Sequence, residues 1–364
     1  MKYIDEFRNI KLAKVISEAI FDIAQKGRTY NIMEVCGTHT MNVFRFGIKK
    51  LLPGNINLMA GPGCPVCVSA ISDIDTIIEY SKIKGVIIAT FGDMLKVPGS
   101  NRNSLYRQRS QGSDVRVVYC VSDALEIAVG NLKNKILFLG VGFETTAPTI
   151  AMSILEAKRR KLKNYFVFSV HKIMPPALNA LCEDQSLNID GFMLPGHVSA
   201  ILGARPYGFL VHKHNKACVI AGFEPVDILD AIYRLIRQIN GKKPAVEIQY
   251  DRVVAPKGNS KAIQIMSRVF DKRDSLWRGL GCIKKSGLKI SSRYESFDIE
   301  KTFKIKVFSS EPKGCICSDV IRGVKKPDEC KFFARGCTPL NPIGACMVSR
   351  EGTCATFYKY IAAT

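Results

Sequence analysis

Eight short apolar runs, each followed by a turn and then by a helical pattern, constrain the fold of this chain more than any other feature. Strands of this length that alternate with helices are typical of βαβ units, whose strands form parallel sheets. The pattern therefore predicts an α/β fold with two doubly wound parallel-sheet domains, or with one large sheet. The runs are residues 31–35, 56–60, 85–90, 115–120, 135–140, 165–170, 190–194 and 217–221.

The character of the sequence changes after the last of these runs. Residues 241–310 are richer in charge and in β-type alternation, and residues 311–364 are dense in Cys, Gly and Pro. Ahead of the first run, residues 5–26 have the apolar spacing of an amphipathic helix. We predict three regions, which are α/β domains over 1–132 and 133–240 and a C-terminal metal-binding module over 241–364.

The charge balance is strongly basic, with 53 Lys and Arg against 32 Asp and Glu and a formal net charge of +21. The basic residues are scattered and form no aromatic-interleaved motif, so we expect a lysine-rich surface or an acidic protein partner rather than nucleic acid. No stretch of 18 consecutive apolar residues occurs, and the acidic start lacks an apolar core. We therefore expect no membrane span and no signal peptide, and we predict a cytoplasmic location.

Thirteen cysteines in such a chain favour metal binding or redox chemistry. A disulfide framework is disfavoured because the cytosol keeps thiols reduced. Three of the cysteines lie in Gly- and Pro-rich segments near the N-terminus, and six lie within the last fifty residues.

Most of the unusual polar residues follow directly after a predicted strand. Ligands of open parallel sheets bind outside the carboxyl ends of the strands, so we expect these residues to converge on one face or cleft. They are Cys36 with His39, Cys64 with Cys67, the segment 90–93, Glu144, His171 and His197.

Cys64-Pro65-Val66-Cys67 lies between a Gly-Pro-Gly turn and a helical pattern. A thiol at a helix N-terminus ionises more readily, and the thiolate is both the nucleophile and the metal ligand. The spacing of two residues favours a redox pair, with a pair of metal ligands and simple packing at a turn as alternatives.

Cys36 and His39 lie three residues apart at a predicted strand end. Their thiolate and imidazole can share a metal, or the imidazole can act as a base for the thiol, or both can be structural. His171 and His197 are each either site residues or structural hydrogen-bonding residues. Glu144 is either a helix cap or a site carboxylate.

The six C-terminal cysteines give the strongest metal signal, because four thiolates suit either zinc or a [4Fe–4S] cluster. Zinc usually takes two short C-x-x-C pairs, and the spacings here are wide and irregular, which favours the cluster over zinc or no metal. The six are Cys315, Cys317, Cys330, Cys337, Cys346 and Cys354. We predict the ligand set Cys315, Cys330, Cys337 and Cys354, in which Cys317 or Cys346 can replace one member.

Taken together, these motifs resemble those of the HypD family of [NiFe]-hydrogenase maturation proteins. The matching blocks run in order from about residue 30 to the C-terminus, so the resemblance covers nearly the whole chain. The blocks are residues 33–39, 61–67, 90–100, 142–148, 195–199, 221–225, 337–339, 341–342, 344–349 and 351–354.

The resemblance implies a scaffold and redox protein that assembles the Fe(CN)2CO centre of [NiFe]-hydrogenases. Such a protein holds iron together with the small chaperone HypC and accepts cyanide from HypE, which carries it as a thiocyanate. The implied fold is two α/β domains around a cleft plus a [4Fe–4S] module, in a monomer that forms hetero-complexes. The implied site residues are Cys36 as iron ligand and Cys64 and Cys67 as redox pair. His39, His197 and Glu144 are further catalytic candidates from their positions after predicted strands.

One position departs from the family pattern. The first motif usually reads C-G-x-H-x-H, and here Met41 stands in place of the last histidine. Methionine offers a soft thioether but no proton. Any role of that second imidazole in iron binding or proton transfer is therefore not expected in this chain.

Rival interpretations account for fewer of these features. A stand-alone Fe–S dithiol–disulfide oxidoreductase would explain the cysteines but not Cys36 among its Gly- and Pro-rich loops. A zinc-stapled nucleic-acid-binding protein would explain only the charge. A structural scaffold without electron transfer is a third alternative.

Overall fold

The structure is a computed structural model that describes Lys2 and residues 4–362. Its strands are β1 (Tyr30–Glu34), β2 (Ile56–Ala60), β3 (Val86–Thr90), β4 (Val115–Val117), β5 (Lys135–Gly140), β6 (Tyr165–Ser169), β7 (Gly191–Pro195), β8 (Ala217–Ala221), β9 (Val246–Ile248), β10 (Phe270–Trp277) and β11 (Gly281–Ile290).

Helices connect these strands, and short helical turns separated by irregular segments make up the C-terminal part of the chain. They are α1 (Ile10–Ile23), α2 (Gly37–Arg45), α3 (Pro65–Val68), α4 (Ile71–Ser81), α5 (Leu105–Ser110), α6 (Val121–Gly130), α7 (Ala147–Arg159), α8 (Met174–Glu183), α9 (Gly196–Leu202), α10 (Gly208–His212), α11 (Pro225–Gly241), α12 (Ser260–Val269), α13 (Ile299–Thr302), α14 (Cys317–Ile321) and α15 (Thr353–Phe357), with 3₁₀ turns between them and a π-helical turn over Tyr358–Ala362.

The first sheet has five parallel strands in the order β2-β1-β7-β8-β9. Every residue of β7 and β8 is buried, as expected for strands that are covered on both faces. Helices α1 and α11 pack together, and Ile20 of α1 shares an apolar cluster with Val219 of β8 and Ile232 of α11. The carboxyl ends of β1, β2, β7 and β8 therefore lie side by side.

The second sheet has four parallel strands in the order β4-β3-β5-β6. Its core includes Ile87 of β3, Phe138 of β5 and Val167 of β6, which cluster with Ile150 and Ile154 of α7. The strand β3 is buried throughout, so this sheet is also covered on both faces.

The antiparallel hairpin β10–β11 connects the two parallel sheets through single bridges. One bridge joins Lys172, just after β6, to Gly287 of β11. Another joins Ser69, just after α3, to Trp277 at the end of β10. The hairpin turn is thereby held next to the C-x-x-C turn.

The eight predicted strand runs are confirmed, with β4 ending at Val117 rather than at residue 120. The α/β class with parallel sheets is confirmed as well, and the strands form two parallel sheets rather than one. The predicted helix over 5–26 is Ile10–Ile23, preceded by a 3₁₀ turn at Asp5–Arg8. Within the described residues, no helix has the length and apolar character needed to cross a membrane.

The predicted boundaries at 132/133 and 240/241 stay predictions, as does the arrangement of two domains around a cleft. The pairing of strands does not follow the first boundary. β1 pairs with β7 across it in one sheet, and β3 pairs with β5 across it in the other. Each sheet is therefore built from strands on both sides of residue 132.

Candidate functional site

Cys36 lies at the carboxyl end of β1 and at the N-cap of α2, where it is buried. The loop after the neighbouring strand β2 packs directly against it, and the N–H of Gly37 donates to the carbonyl of Gly63 at 3.1 Å. A Cβ on Gly63 would overlap the backbone N and Cα of Cys36. Glycine at position 63 is therefore what allows the two loops to come this close.

The C-x-x-C motif forms a disulfide in this structure. Cys64 caps the short helix α3, Pro65 takes its first position, and Cys67 lies in the same turn, with a Cα–Cα distance of 5.2 Å between the cysteines. The N–H of Cys67 also donates to the Cys64 sulfur at 3.2 Å. Both cysteines are buried, so the disulfide lies beneath the surface next to Cys36.

The environment of Cys36 favours a neutral thiol. Burial raises its pKa to about 12, and the nearby carboxyls of Glu351 and Glu34 add to the rise. Backbone N–H groups of Thr38 and His39 oppose it. A ligand that binds the thiolate, such as a metal ion, must therefore displace a proton.

Two histidine rings pack against one phenylalanine near this loop, His197 stacked on it and His39 tilted. The Phe223 ring lies 4.8 Å from the His39 ring and 4.0 Å from the His197 ring, measured between centroids. His39 is fully buried, and its Nε2 lies 2.9 Å from the carbonyl of Gly222. Burial lowers the pKa of His39 to about 4, so the imidazole is neutral and Nε2 is the donor. His197 lies at the exposed end of the stack, and burial lowers its pKa too.

Glu351 brings a carboxylate from the C-terminal segment to this site. The hydroxyl of Thr38 donates to its Oε1 at 2.6 Å, and a Cβ on Gly37 would lie 2.6 Å from its Cβ. Asp93, in the loop after β3, is close enough for Glu351 to add to the rise of its pKa, which burial causes in the main. The second sheet thus contributes Asp93 to the same region.

The six C-terminal cysteines line one small cavity of about 20 Å³. Neighbouring thiols of the cavity are close enough to shift one another's pKa, which holds for Cys315 with Cys317, Cys317 with Cys346, and Cys346 with Cys354. The other two lining cysteines are Cys330 and Cys337.

Backbone N–H groups also point at sulfurs of this cavity. The N–H of Ile343 donates to Cys337 at 3.3 Å, and that of Cys354 donates to Cys346 at 3.4 Å. Donors of this kind stabilise sulfur atoms that carry negative charge, as thiolate ligands do.

Gly352 lies between the disulfide and the cysteine cavity. A Cβ at this position would lie 3.1 Å from the Cys67 sulfur and would overlap the carbonyl of Cys346. Since Gly352 follows Glu351, one short segment contacts both the disulfide and the Cys36 loop. The thiol, the disulfide and the cavity are therefore consecutive neighbours.

Comparison with known proteins gives the family. A family model named HypD and described as "Hydrogenase formation hypA family" matches residues 11–361. The chain belongs to the HypD family.

Three relatives named hydrogenase maturation factor HypD illustrate the similarity. The proteins of Cupriavidus necator and Azotobacter vinelandii are each 43% identical, over 99% of this chain and 97% of their own length. The protein of Rhodobacter capsulatus is 42% identical over 99% of this chain and 98% of its own length. The resemblance inferred from the motifs is thereby confirmed.

In this HypD family member, the loops that follow strands of the first sheet converge on one region, as predicted. The C-terminal segment contributes to the same region. Cys36, His39 and His197 follow strands of that sheet, as does the disulfide, and all four lie in one region. Two residues that follow strands of the second sheet make other contacts.

Glu144 contacts α8 rather than the cysteine loops. Its Oε1 accepts from the N–H of Met174 at 2.9 Å, and its Oε2 is buried without a partner among the described residues. Burial raises its pKa to about 7. The contact is to the first residue of α8 and not to α7, the helix that directly follows Glu144 in the sequence, so the carboxyl serves a helix end other than the predicted one.

His171 lies beneath the hairpin. Its Nδ1 lies 2.9 Å from the hydroxyl of Ser169, and its carbonyl accepts from the N–H of Leu288 of β11. Burial lowers its pKa to about 3. These contacts support a structural role.

The cavity residues suit a thiolate-ligated metal centre by their chemistry. Every polar side chain among the lining residues is a cysteine, and the remaining walls include Phe333 and Met347. Thiolates select soft metals such as those of Fe–S clusters and zinc. Within residues 2 and 4–362, no group of three or more His, Cys, Asp or Glu side chains is arranged to hold a single metal ion. The choice among the six cysteines stays a prediction.

Two residues of this site were missed by sequence reasoning, Glu351 and Gly352. Both belong to the E-G-T-C block that carries the resemblance, which was the available signal. Thr38, the partner of Glu351, lies 313 positions away in the sequence, so no spacing rule connects the two. Met41, the departure from the family pattern, is only partly buried on α2.

Proposed function

We propose that this chain is a hydrogenase maturation factor that serves as the scaffold on which the Fe(CN)2CO centre of [NiFe]-hydrogenases is assembled. The proposal rests on three groups that lie next to one another in space. The buried thiol of Cys36 adjoins the buried disulfide, and the disulfide adjoins the cavity of six cysteines. Family membership supports the same role, since the relatives carry the name of hydrogenase maturation factors.

Cys36 is the proposed protein ligand of the iron that is being modified. Cyanide and carbon monoxide are strong-field ligands and suit a low-spin iron(II) held by soft thiolate. Since Cys36 is a neutral thiol in this environment, iron binding releases its proton. The neutral imidazole of His39, one helical turn away, has an Nδ1 without a hydrogen-bond partner among the described residues, and this nitrogen can accept a hydrogen bond at the site.

The dithiol form of Cys64 and Cys67 is the proposed reductant for cyanide delivery from a thiocyanate. The S–CN bond of the donor breaks and the two thiols close the disulfide. Two electrons and one proton convert the donor to its thiol and free cyanide, and the second thiol proton goes to solvent. The disulfide of this structure corresponds to the oxidised state after such a step.

The C-terminal cysteines are proposed to hold a [4Fe–4S] cluster through Cys315, Cys330, Cys337 and Cys354. A cluster bound there supplies single electrons at low potential. The two remaining cysteines of the cavity, Cys317 and Cys346, are the candidates for replacing one ligand.

The partners that follow from this role are a small chaperone of the HypC type, which shares the iron, and a cyanide donor of the HypE type. His197, at the exposed end of the Phe223 stack, is proposed to lie where the incoming donor meets the site. A monomer in the cytoplasm that forms transient hetero-complexes would meet both partners.

The alternative of a stand-alone dithiol–disulfide oxidoreductase is disfavoured because it leaves the neighbouring Cys36 thiol without a function. The residues Cys64 and Cys67 are only 5% and 2% exposed, so a substrate of either role must reach sulfur atoms beneath the surface. The buried free thiol of Cys36 beside the disulfide is the feature that distinguishes the scaffold role.

Infrared spectroscopy tests the proposal on the full chain, purified without oxygen from cells that co-produce the maturation partners. We expect cyanide and carbon monoxide stretching bands in the wild type and none in Cys36→Ala. Cys120→Ala is a matched control, because Cys120 also lies at a helix N-cap but follows the edge strand of the second sheet, where its exposed thiol contacts Asp123. Bands that persist in Cys36→Ala would move the iron elsewhere, and bands absent from the wild type beside active partners would overturn the scaffold role.

A further inference from the structure

The tip of the β10–β11 hairpin is inserted between the disulfide turn and the cysteine cavity. The backbone N–H of Arg278 donates to the carbonyl of Val68, the last residue of α3, at 2.9 Å. Gly279, with φ of +83°, packs on α14, and a Cβ there would lie 2.6 Å from the carbonyl oxygen of Ser318. Since α14 begins at Cys317, the tip touches the element that carries the disulfide and one that carries a cavity cysteine.

The Arg278 side chain carries a buried positive charge at this tip and is only 1% exposed. Its Nε donates to the carbonyl of Ser69 at 3.1 Å, and its Nη1 donates to Oε2 of Glu311 at 2.6 Å. Its Nη2 is buried and has no hydrogen-bond partner in the part of the chain that the structure describes. Buried donors are normally satisfied, so this N–H remains available for an acceptor.

The charge acts on the cysteine cavity. A hydrogen bond to Cys317 and burial raise the pKa of Cys315, and Arg278 opposes this rise electrostatically. At Cys317, the hydrogen bond to Cys315 and the charge of Arg278 both act to lower the pKa, against the raising effects of Cys346 and of burial. The balancing carboxylate, Glu311, is 47% exposed, so solvent screens it more than it screens the buried guanidinium.

We propose that the buried positive charge of Arg278 raises the reduction potential of an iron–sulfur cluster held in the cysteine cavity. Four thiolates give such a cluster a negative charge, and reduction adds one more. A buried cation nearby stabilises the reduced state more than the oxidised state, and the low dielectric of the interior strengthens the effect. The inference rests on the proposed function, because it requires a cluster at that place.

A redox titration of the reconstituted full-length protein, followed by electron paramagnetic resonance, tests the inference. Arg278→Met keeps the apolar stem and removes the charge, and we expect the reduction equilibrium constant to fall at least tenfold, which is 59 mV for one electron. Arg278→Lys keeps the charge and should stay within threefold of the wild type. Glu311→Gln removes the opposing charge and should shift the potential upward by a smaller amount.

Arg273→Met is the matched control. Arg273 lies on β10, in the same hairpin as Arg278, but its guanidinium donates to Glu300 and to the carbonyl of Ser169. Its removal changes the net charge equally and should leave the potential within threefold of the wild type. An equal downward shift in Arg273→Met and Arg278→Met would overturn the inference.

The remaining outcomes also decide the matter. A wild-type potential in Arg278→Met with full iron content would overturn the inference and leave the infrared bands at Cys36 untouched. If Arg278→Met does not fold, Glu311→Gln decides, and a potential that fails to rise there would overturn it. A wild-type protein that takes up no iron into the cavity would overturn both this inference and the cluster assignment of the proposed function.

Discussion

At the scale of single residues, Glu144 shows how a conspicuous motif carboxylate can serve the fold. It follows β5 in a Gly-Phe-Glu-Thr-Thr sequence, yet its hydrogen bond goes to the N–H of Met174 at the start of α8. Anionic and hydrogen-bond-accepting groups are favoured at helix N-termini. The burial of the carboxyl opposes its ionisation and raises its pKa to about 7.

This pKa gives stability a defined pH dependence. The folded-state value is raised from 4.5 to about 7, so the stabilising preference for the protonated form is present below pH 4.5 and is lost as pH rises through 7. Glu144→Gln keeps an acceptor for Met174 and does not titrate. We expect the variant to be more stable than the wild type by roughly 3 kcal/mol at pH 8 and by less than about 1 kcal/mol at pH 5.

Urea denaturation of both proteins between pH 5 and pH 8 measures this difference directly. Free energies of unfolding that run parallel across the range would show that Glu144 does not titrate with the raised pKa. Loss of the infrared bands in a folded Glu144→Gln protein would instead return the carboxyl to the list of catalytic candidates.

At the scale of elements, the parallel strands were predictable because each is a short apolar run buried on both faces. β3 and β8 are entirely buried, and a continuous apolar run between turn signals is the signature of such strands. The sequence-based strands therefore agree with the structure to within a few residues. Which strands pair was not predictable, because pairing depends on contacts between distant parts of the chain.

The site shows the same division between local and long-range information. The proximity of Cys36 to the C-x-x-C turn follows from neighbouring parallel strands, β1 and β2, and could be anticipated. The carboxylate of Glu351 and the guanidinium of Arg278 come from segments far along the chain, and neither lies after a parallel strand. Only the folded chain brings them to the cysteines.

The ring closed by the Cys64–Cys67 disulfide spans a single short turn, with a sequence separation of three. The entropy that a disulfide removes from the unfolded chain grows with the length of the closed loop, and for so short a loop it amounts to roughly 2 kcal/mol. Opening this disulfide should therefore leave the fold intact, which suits a pair that changes oxidation state.

We accordingly expect the double variant Cys64→Ser, Cys67→Ser to unfold with a free energy lower by no more than about 2 kcal/mol. The measurement is urea denaturation of the variant beside the oxidised and reduced wild type. Reduced wild type should match the variant more closely than the oxidised protein does. A loss several times larger would assign the disulfide a structural role and weaken the case for a redox pair.

At the scale of the whole molecule, the last fifty residues connect the cysteine cavity to the loop and helix that carry Cys36, a connection that neither sheet provides. The helix α15 packs on α2, where the rings of Phe357 and Phe44 meet edge to face at 5.3 Å. The hydrogen bond between Thr38 and Glu351 fixes the Cys36 loop to the same segment. If cluster binding orders the cysteine cavity, the backbone of the Cys36 loop and of α2 should therefore become more ordered as well.

Hydrogen exchange of the protein before and after iron–sulfur reconstitution makes this coupling measurable. Loading should slow amide exchange in α15, whose first turn contains Cys354, and also in α2, which contains no cavity cysteine. Thr38→Val removes the hydrogen bond to Glu351 at nearly constant volume, so the slowing in α2 should shrink while that in α15 persists.

Thr149→Val is the control for this substitution, since the Thr149 hydroxyl donates to the carbonyl of Thr146 at the start of α7, and its loss should leave both effects unchanged. Exchange in α2 that does not respond to loading in the wild type would mean that the cavity and the Cys36 loop are independent. In that case the C-terminal segment would serve as an anchor for the cysteines alone, and any communication between cluster and iron would have to pass through the disulfide rather than through the shared backbone.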